Sequence, residues 1–271
     1  MLDILSYDFM QRALLAMVAI SLFAPILGIF LILRRQSLMS DTLSHVSLAG
    51  VALGVVIGIN PTWTTMLVVA IAAVVLEYLR VVYKHYMEIS TAILMSMGLA
   101  VSLMIMSQSS GASNVSLDQY LFGSIITISK EQVIALFVIA VTILLLTLFF
   151  IRPMYILTFD EDTAFVDGLP VRLMSVLFNV VTGIAIALTI PAAGALLVST
   201  IMVLPASIAM RLGKNFISVI VIGILIGFVG MISGVFMSYN WGTPASATIT
   251  IIFISIFLLV NIGSLIKQKW S

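Results

Sequence analysis

The chain has 271 residues, of which 62% are apolar and only 8% are charged, and its net charge is +1. Soluble domains average about 45–50% apolar and about 25% charged residues. This composition therefore excludes a soluble protein and indicates a membrane protein with several spans. The small net charge gives no basis for a nucleic-acid partner. The absence of cysteine excludes disulfide bonds and thiolate metal sites.

Segments long enough to cross a membrane as helices follow one another along the whole chain. About 20 apolar residues are needed for one crossing. The first segment, Ala13 to Leu33, is 21 residues long. It exceeds the apolar part of a signal peptide, so we expect it to be retained. Charged and turn residues delimit nine candidates, at residues 11–33, 40–58, 61–79, 89–107, 131–152, 172–190, 192–209, 217–237 and 246–266.

The second, third and seventh candidates are short, and each can be tilted, broken or re-entrant. Eight spans therefore remain an alternative to nine. Pro191, Gly194 and Pro205 predict an irregular seventh segment, which is tolerated at membrane depth where protein or a water-filled path surrounds it. We predict an all-α polytopic bundle of about eight or nine transmembrane helices, forming a single domain over residues 1–271.

The positions of lysine and arginine predict the orientation, because cytoplasmic segments carry most of the basic residues near span ends. With the N-terminus outside and the C-terminus in the cytoplasm, ten of the twelve basic residues lie inside, and only Arg12 and Lys130 lie outside. The opposite orientation would reverse this ratio. The ten residues predicted inside are Arg34, Arg35, Arg80, Lys84, Arg152, Arg172, Arg211, Lys214, Lys267 and Lys269.

Two polar segments interrupt the apolar pattern. The external one, residues 107–131, begins as a Ser/Gly/Asn-rich loop, and its LFGSIITI part is expected to lie back against the bundle. The internal one, residues 158–172, holds four acids, and the first three are typical of the first turn of a helix. Gly168 and Pro170 are typical of a helix end. We predict a short amphipathic helix on the cytoplasmic face. Its acids are Asp160, Glu161, Asp162 and Asp167.

Asp41 and His45 are the candidate metal ligands. Residues four apart share a helix face, and carboxylate and imidazole are ligands that zinc and other divalent metals accept. Ionisable groups in a membrane segment usually face the bundle interior or a cavity. The alternative is structural: Asp41 is then a first-turn acid, and His45 a hydrogen-bonded interior residue. Two ligands alone do not define a site, so the spacing leaves both interpretations open.

The remaining polar residues of the spans have structural interpretations. Glu77 is expected to pair with Arg80 one turn on, and Asn179 to form a hydrogen bond between helices. The other histidine, His85, is expected in a solvated internal loop. Two predicted spans carry small residues at a spacing that lets helix backbones approach closely. These glycines are Gly50, Gly54 and Gly58 in the second span, and Gly223, Gly227, Gly230 and Gly234 in the eighth.

Absent motifs narrow the function. The sequence contains no G-x-x-x-x-G-K-[ST], so the chain has no P-loop of its own with which to bind ATP. It contains no H-E-x-x-H, and its two histidines give little support to an intramembrane zinc hydrolase. No span has the density of ionisable groups expected of a proton-coupled carrier. From the residues alone, the chain is a helical transporter component rather than an enzyme.

Four blocks of the chain resemble the permease subunits of bacterial ABC importers for zinc and manganese. The stretch LILRRQSLMSDTLSHVSLAGVALG is similar to the family's pattern of an arginine-bearing turn followed by G/S-D-x-x-S/A-H-x-x-L-x-G-V-A. DQYLFGSIITIS, DTAFVDG and GALLVSTIMVLPASIAM are similar to three further blocks. The blocks occur in order from the first span to the last, so the resemblance covers essentially the whole chain.

The resemblance implies a type II-like importer permease in the bacterial inner membrane. It implies a homodimer, two cytoplasmic ATPase subunits that alone use ATP, and an extracellular metal-binding protein, which is a lipoprotein in Gram-positive bacteria. It also places Asp41 and His45 on the metal path and makes DTAFVDG the coupling helix that docks on the ATPase. The matching residues there are Asp162, Ala164, Asp167 and Gly168, and the acids Asp160 and Glu161 precede them.

The resemblance favours zinc as the transported metal, with no permanently bound cofactor. D-T-L-S-H-V-S-L-A-G is closer to the zinc branch, whereas manganese relatives tend towards D-A-I-S-H-A-V-L-P-G, with proline where this chain has Ala49. Manganese remains the alternative, because both metals accept carboxylate and imidazole. We expect the metal path to lie within each protomer or at the dimer interface, where Asp2His2 is a variant. A secondary carrier or channel that needs no ATPase is the competing class.

Overall fold

A computed structural model describes residues 7–83, 87–108, 117–124 and 127–270. Nine helices in this part of the chain are long and apolar enough to cross a membrane. Two further helices, α5 and α7, have six residues each. The helices are α1 Asp8–Leu33, α2 Leu38–Ile57, α3 Pro61–Val82, α4 Met87–Gln108, α5 Leu117–Phe122, α6 Lys130–Phe159, α7 Glu161–Val166, α8 Val171–Ala193, α9 Ala195–Leu212, α10 Phe216–Trp241 and α11 Ala245–Trp270.

The predicted all-α bundle is confirmed, and the described residues favour nine long helices over eight. All boundaries of the long helices except one lie within four residues of those predicted. The fifth long helix, α6, continues through Pro153 to Phe159 rather than ending near residue 152, because a proline costs one backbone hydrogen bond and neighbouring helices can support the rest. The irregularity predicted for the seventh segment is confined to Gly194, whose φ of 83° separates α8 from α9.

The core of the bundle is built around α1, the most buried of the long helices. It packs against α6, α9 and α10, while α2 packs against α3 and α4, and α3 packs against α8. Its buried face includes Phe23 and Phe30, which lie among the apolar residues of its neighbours. Because α1 is surrounded by protein, its sequence is apolar on every side rather than amphipathic.

The short helices mark two opposite ends of the bundle. Ser129 caps the start of α6, seven residues after α5 ends, and Asp160 joins the end of α6 to α7. The 30-residue α6 separates these two ends by about 45 Å. We call them the α5 end and the α7 end. At the α5 end, Gly123 lies against the backbone of Ala193, so the segment predicted to lie back on the bundle does so for its described residues.

Glycines allow α2 to approach its neighbours closely. A Cβ atom on Gly50 would lie 2.6 Å from the Cα of Thr65, and one on Gly54 would lie 2.7 Å from the Cα of Pro61, so α2 and α3 touch backbone to backbone. Gly58 differs from this expectation. It ends α2 with a φ of 75° and has nothing within 4 Å of its Cβ position. Its role is the left-handed helix end, which favours glycine.

The four glycines of α10 divide between two neighbours. Those nearer its start lie against Pro25 of α1, and those nearer its end lie against Phe253 and Ile249 of α11. The expected close packing of this helix therefore serves two interfaces rather than one. Gly223 and Gly227 form the first pair, and Gly230 and Gly234 form the second.

Candidate functional site

Asp41 and His45 lie near the middle of the bundle, not at its edge. Because Gly50 lies against Thr65 and Gly54 against Pro61, continuing this antiparallel pairing puts His45 level with Ala70 and Asp41 level with Val74. Both levels fall in the middle half of the 22-residue α3. Leu43, between the two candidate ligands, also lies against Gly183, the thirteenth residue of the 23-residue α8. The pair is therefore deeper than the positions of basic residues suggested.

The depth of α2 follows from the turn at Arg34–Ser37, which is drawn into the bundle. Arg34 is 8% exposed and Gln36 is 2% exposed. The guanidinium of Arg34 donates a hydrogen bond of 2.5 Å to Ser175 Oγ and lies 5.3 Å from the centre of the Phe178 ring. These partners lie one to two turns inside α8. A buried arginine with such contacts can hold a turn below the membrane surface.

The candidate ligands share one face of α2. Both side chains are half-buried, and neighbouring positions on the other faces are buried, namely Ser40, Thr42, Ser44 and Ser47. His45 Nδ1 is shielded from solvent and has no hydrogen-bond partner in the described part of the chain. A neutral imidazole nitrogen without a proton can donate its lone pair to a metal.

The same face of α2 remains partly uncovered along most of its length. Leu38 is 50% exposed, and Asp41, His45 and Leu53 are half-buried, which gives a stripe at helical spacing. Ala49, between His45 and Leu53, is 5% exposed. Within residues 7–83, 87–108, 117–124 and 127–270, three or more metal-ligating side chains nowhere come together. The described residues therefore offer two candidate ligands at this level, and His85 lies outside the described residues.

The predicted amphipathic helix is α7, and Asp160 is its N-cap rather than part of its first turn. The Asp160 carboxylate accepts hydrogen bonds from the backbone N–H groups of Asp162 and Thr163 and from the Thr163 hydroxyl. The Thr163 hydroxyl is the main reason that the pKa of Asp160 lies below its ordinary value, since these bonds favour the charged form. Gly168, with φ of 78°, follows the end of the helix.

The two faces of α7 differ sharply. Ala164 is fully buried and packs α7 against the bundle. It therefore does not face outward, unlike the other residues predicted to couple this helix to the ATPase. Phe165 is 75% exposed and Val166 is 83% exposed. These two apolar residues were not among the predicted contacts, although the sequence AFVDG contains them. Exposed aromatic groups rimmed by acids are typical of binding surfaces, and Asp162 and Asp167 are the exposed acids here.

A cluster of four charged side chains joins α7 to the bundle, and the sequence revealed only part of it. The predicted pair is present, with Arg80 Nε 3.3 Å from Glu77 Oε1. Glu77 also accepts a 2.6 Å hydrogen bond from the Asn179 side chain. Glu161 of α7 contacts both Arg80 and Arg34, the latter at 3.7 Å between Oε1 and Nη2. We call Arg34, Glu77, Arg80 and Glu161 the charge cluster.

Comparison with known proteins identifies the family. A model of the ABC 3 transport family matches residues 6–264. The chain belongs to the ABC 3 transport family. A probable metal transport system membrane protein of Treponema pallidum (strain Nichols) is 31% identical over 94% of this chain and 96% of its own length. The family match covers α1 to α10, including the turn at Arg34 and the whole of α7, and it covers α11 as far as residue 264.

Other ABC 3 relatives carry names for two different metals. The high-affinity zinc uptake system membrane protein ZnuB of Buchnera aphidicola (subsp. Acyrthosiphon pisum, strain APS) is 27% identical over 92% of this chain and 95% of its own. The manganese transport system membrane protein MntC of Halalkalibacterium halodurans is 25% identical over 95% of this chain and 88% of its own. The names of the relatives therefore do not distinguish zinc from manganese as the transported metal.

A solved structure has the same fold. The structure described as PsaBC from Streptococcus pneumoniae in complex with Fab superposes with a TM-score of 0.84. Its sequence is 26% identical to this one, and the match covers 96% of this chain and 93% of that chain. The nine long helices, α5 and α7 thus belong to an arrangement already seen in an ABC permease.

Proposed function

We propose that this chain is the membrane-spanning permease subunit of an ATP-driven importer of divalent metal, with zinc favoured over manganese. Membership of the ABC 3 transport family and relatives named for zinc and manganese transport support this. The observation that carries it is the position of Asp41 and His45, a carboxylate and an imidazole at mid-depth on one face of α2. Ionisable groups at such a depth mark ion pathways.

Asp41 and His45 hold the metal briefly as it passes. Each replaces a water molecule of the ion's hydration shell with an oxygen or nitrogen ligand. Two protein ligands suit a transported ion, because a closed site of four protein ligands is typical of structural zinc that does not leave. The unpartnered Nδ1 of His45 supports this role, since no hydrogen bond within the described residues competes for its lone pair.

A second copy of the chain covers the exposed stripe of α2. Leaving Asp41 towards lipid at the bilayer centre would cost about 2.5–3.5 kcal/mol on insertion scales, so lipid is a poor partner for this face. A two-fold interface along the stripe would bring two Asp41–His45 pairs together as Asp2His2. The absence of native cysteine allows a direct test with Leu38→Cys. Disulfide-linked dimers in membranes are expected, and an all-monomer result would count against this interface.

The α7 helix is the contact with a cytoplasmic ATPase subunit, which implies that the α7 end faces the cytoplasm and the N-terminus faces outside. The exposed Phe165 and Val166 supply an apolar contact, and the acids around them supply charge. An ABC permease without a P-loop depends on a separate ATPase. A secondary carrier, the competing class, would need no such subunit. Co-purification of this chain with a nucleotide-binding subunit separates the two classes.

Metal uptake in a deletion strain complemented with this chain tests the proposal. Accumulation of zinc and of manganese from limiting medium is measured for wild type, Asp41→Ala and His45→Ala. Both variants are expected to lose uptake by at least tenfold while their assembly with the ATPase stays intact. Ser44→Ala is the matched control, because among the described residues the Ser44 hydroxyl donates its hydrogen bond to the Ser40 carbonyl of its own helix alone. Normal uptake in both ligand variants would refute the metal role.

A further inference from the structure

The charge cluster has two buried members, Arg34 and Glu77, one partly buried member, Arg80, and one half-exposed member, Glu161. The side chain of Arg34 is 1% exposed, that of Glu77 is 5% exposed and that of Arg80 is 17% exposed, whereas that of Glu161 is 44% exposed. The four charges sum to zero, so the cluster is balanced only while Glu161 is in place. A buried charge that loses its partner destabilises the protein strongly, so buried ion pairs tend to stay together. Of these four groups, Glu161 alone can move into water cheaply.

Glu161 links α7 to both structural elements that position α2. Its carboxylate contacts Arg34, which begins the turn leading into α2, and Arg80, in the last turn of α3. Helix α3 in turn lies backbone to backbone against α2 at Gly50. A displacement of Glu161 therefore acts on α2 through the chain itself and through a tightly packed neighbour.

The turn at Arg34–Ser37 carries backbone strain and unpaired buried polar atoms, two features of a segment that can adopt a second conformation. Arg35 has a φ of 56°, a left-handed conformation that is strained for a residue with a side chain. Both amide atoms of buried Gln36 and two guanidinium nitrogens of Arg34 have no hydrogen-bond partner among the described residues. Buried polar groups without partners are costly. A rearrangement that relieves strain and pairs these atoms would offset the loss of the Arg34–Glu161 contact.

We propose that Glu161 is a positioning residue through which α7 controls the position of α2, and with it Asp41 and His45. The proposal rests on the proposed function, in which α7 moves with an ATPase subunit. When α7 is drawn away, the Glu161 carboxylate leaves Arg34 and Arg80. Arg34 retains Ser175 and the Phe178 ring, the turn rearranges, and α2 shifts relative to α3. The pair on α2 then loses the geometry that holds the metal.

The ratio of metal transported to ATP hydrolysed tests this proposal in the reconstituted permease–ATPase complex. Glu161→Gln removes the charge but keeps the size. We expect this variant to bind the ATPase and hydrolyse ATP within about twofold of wild type, while the ratio falls at least tenfold. Glu88→Gln is the matched control, since Glu88 is an exposed acid in the first turn of α4 and lies outside the charge cluster. Its ratio should equal that of wild type.

A second measurement reports directly on the position of α2. Leu38→Cys places a single thiol at the start of α2, where the native side chain is 50% exposed, in a chain without other cysteines. The rate at which this thiol forms a disulfide with its counterpart in the second copy is measured with and without ATP and vanadate. We expect nucleotide to change the rate in the Leu38→Cys complex. Glu161→Gln should abolish that response, whereas Glu161→Asp, which keeps the charge, should retain most of it.

The outcomes separate this inference from the proposed function. A wild-type complex without ATP-dependent metal uptake would contradict the proposed function itself. With a functional wild type, an unchanged transport ratio in Glu161→Gln would overturn the inference. Loss of ATPase binding in proportion to the loss of transport would also overturn it, because Glu161 would then be a docking residue. An equally low ratio in Glu161→Asp would show that the carboxylate charge does not control α2.

Discussion

Gly98→Ala tests whether the position of His45 depends on the packing of a helix that holds no metal ligand. A Cβ atom on Gly98 of α4 would lie 2.7 Å from the Cα of Val46, the residue after His45. Ordinary contacts begin at 3.4 Å, so the two helices must separate by about 0.7 Å, the difference between these distances. Since the obstacle is backbone rather than a flexible side chain, the helices themselves have to move apart, which changes the position of His45 relative to α4.

A second glycine provides the control for helix propensity. Gly263 of α11 has open space at its Cβ position and no positive φ. Replacing either glycine by alanine gains about 0.5–1 kcal/mol of helix stability, but only Gly98→Ala adds an overpacking cost of about 1–3 kcal/mol. The difference between the two variants isolates that cost. At about 2–4 °C per kcal/mol for a chain of this size, Gly98→Ala should unfold roughly 2–12 °C below Gly263→Ala.

Thermal unfolding in detergent and metal uptake in cells measure the two consequences. We expect uptake by Gly98→Ala to fall by about tenfold, because displacements near 1 Å in enzyme sites cost up to about 100-fold. Uptake by Gly263→Ala should match wild type. Equal midpoints and equal uptake for the two variants would refute the tight α2–α4 contact and the reasoning that ties it to His45.

Three further predictions follow from other residues. Glu77→Ala should destabilise the bundle by about 3–5 kcal/mol, because Arg80 and Asn179 lose a buried partner. The midpoint of thermal unfolding should fall accordingly, and an unchanged midpoint would contradict this prediction. Phe165→Ser should abolish ATPase co-purification without lowering the midpoint. Asp160→Ala should lose amide protection at Asp162 and Thr163 in hydrogen exchange. In wild type this protection should persist from about pH 8 down to about pH 5.

The sign of the last prediction follows from the direction of the pKa change. The pKa of Asp160 is lowered in the folded protein, so the cap contributes stability above the ordinary pKa of the carboxyl group and loses it as pH falls through the lowered value. Protonation therefore affects the cap only in strongly acidic solution. Loss of protection near neutral pH would show that the cap does not depend on the Asp160 charge.

Hydropathy and local spacing were sufficient for most of the helices. A helix that crosses the hydrocarbon core of a membrane requires about 20 apolar residues, and this requirement can be read along the chain. The same local information identified α7, whose acids and Gly168 carry the signals of a helix start and end, and the Glu77–Arg80 pair, whose members lie one turn apart. Where the local signal was weak, boundaries moved, as at Pro153 and Gly194.

Contacts between residues that are far apart in the sequence could be found only from the tertiary structure. The positions of basic residues put the turn at Arg34 near the membrane surface, since charge alone favours water. The fold buries that arginine with Ser175, Phe178 and Glu161, residues more than a hundred positions away. The depth of Asp41 and His45 follows from that burial. The spacing of apolar residues also could not predict that Ala164 points into the bundle, because a helix of six residues is too short for its periodicity to define a buried face.

The sequence by itself determined that the chain is a helical membrane protein of the zinc and manganese permease type, with Asp41 and His45 four residues apart on one helix face. Those facts depend on composition, apolar length and local spacing. Only the tertiary structure decided that this face lies at mid-depth and that Glu161 joins α7 to the turn before α2. The reason is physical: an ion pair between distant segments depends on how helices pack, and packing is set by contacts throughout the bundle.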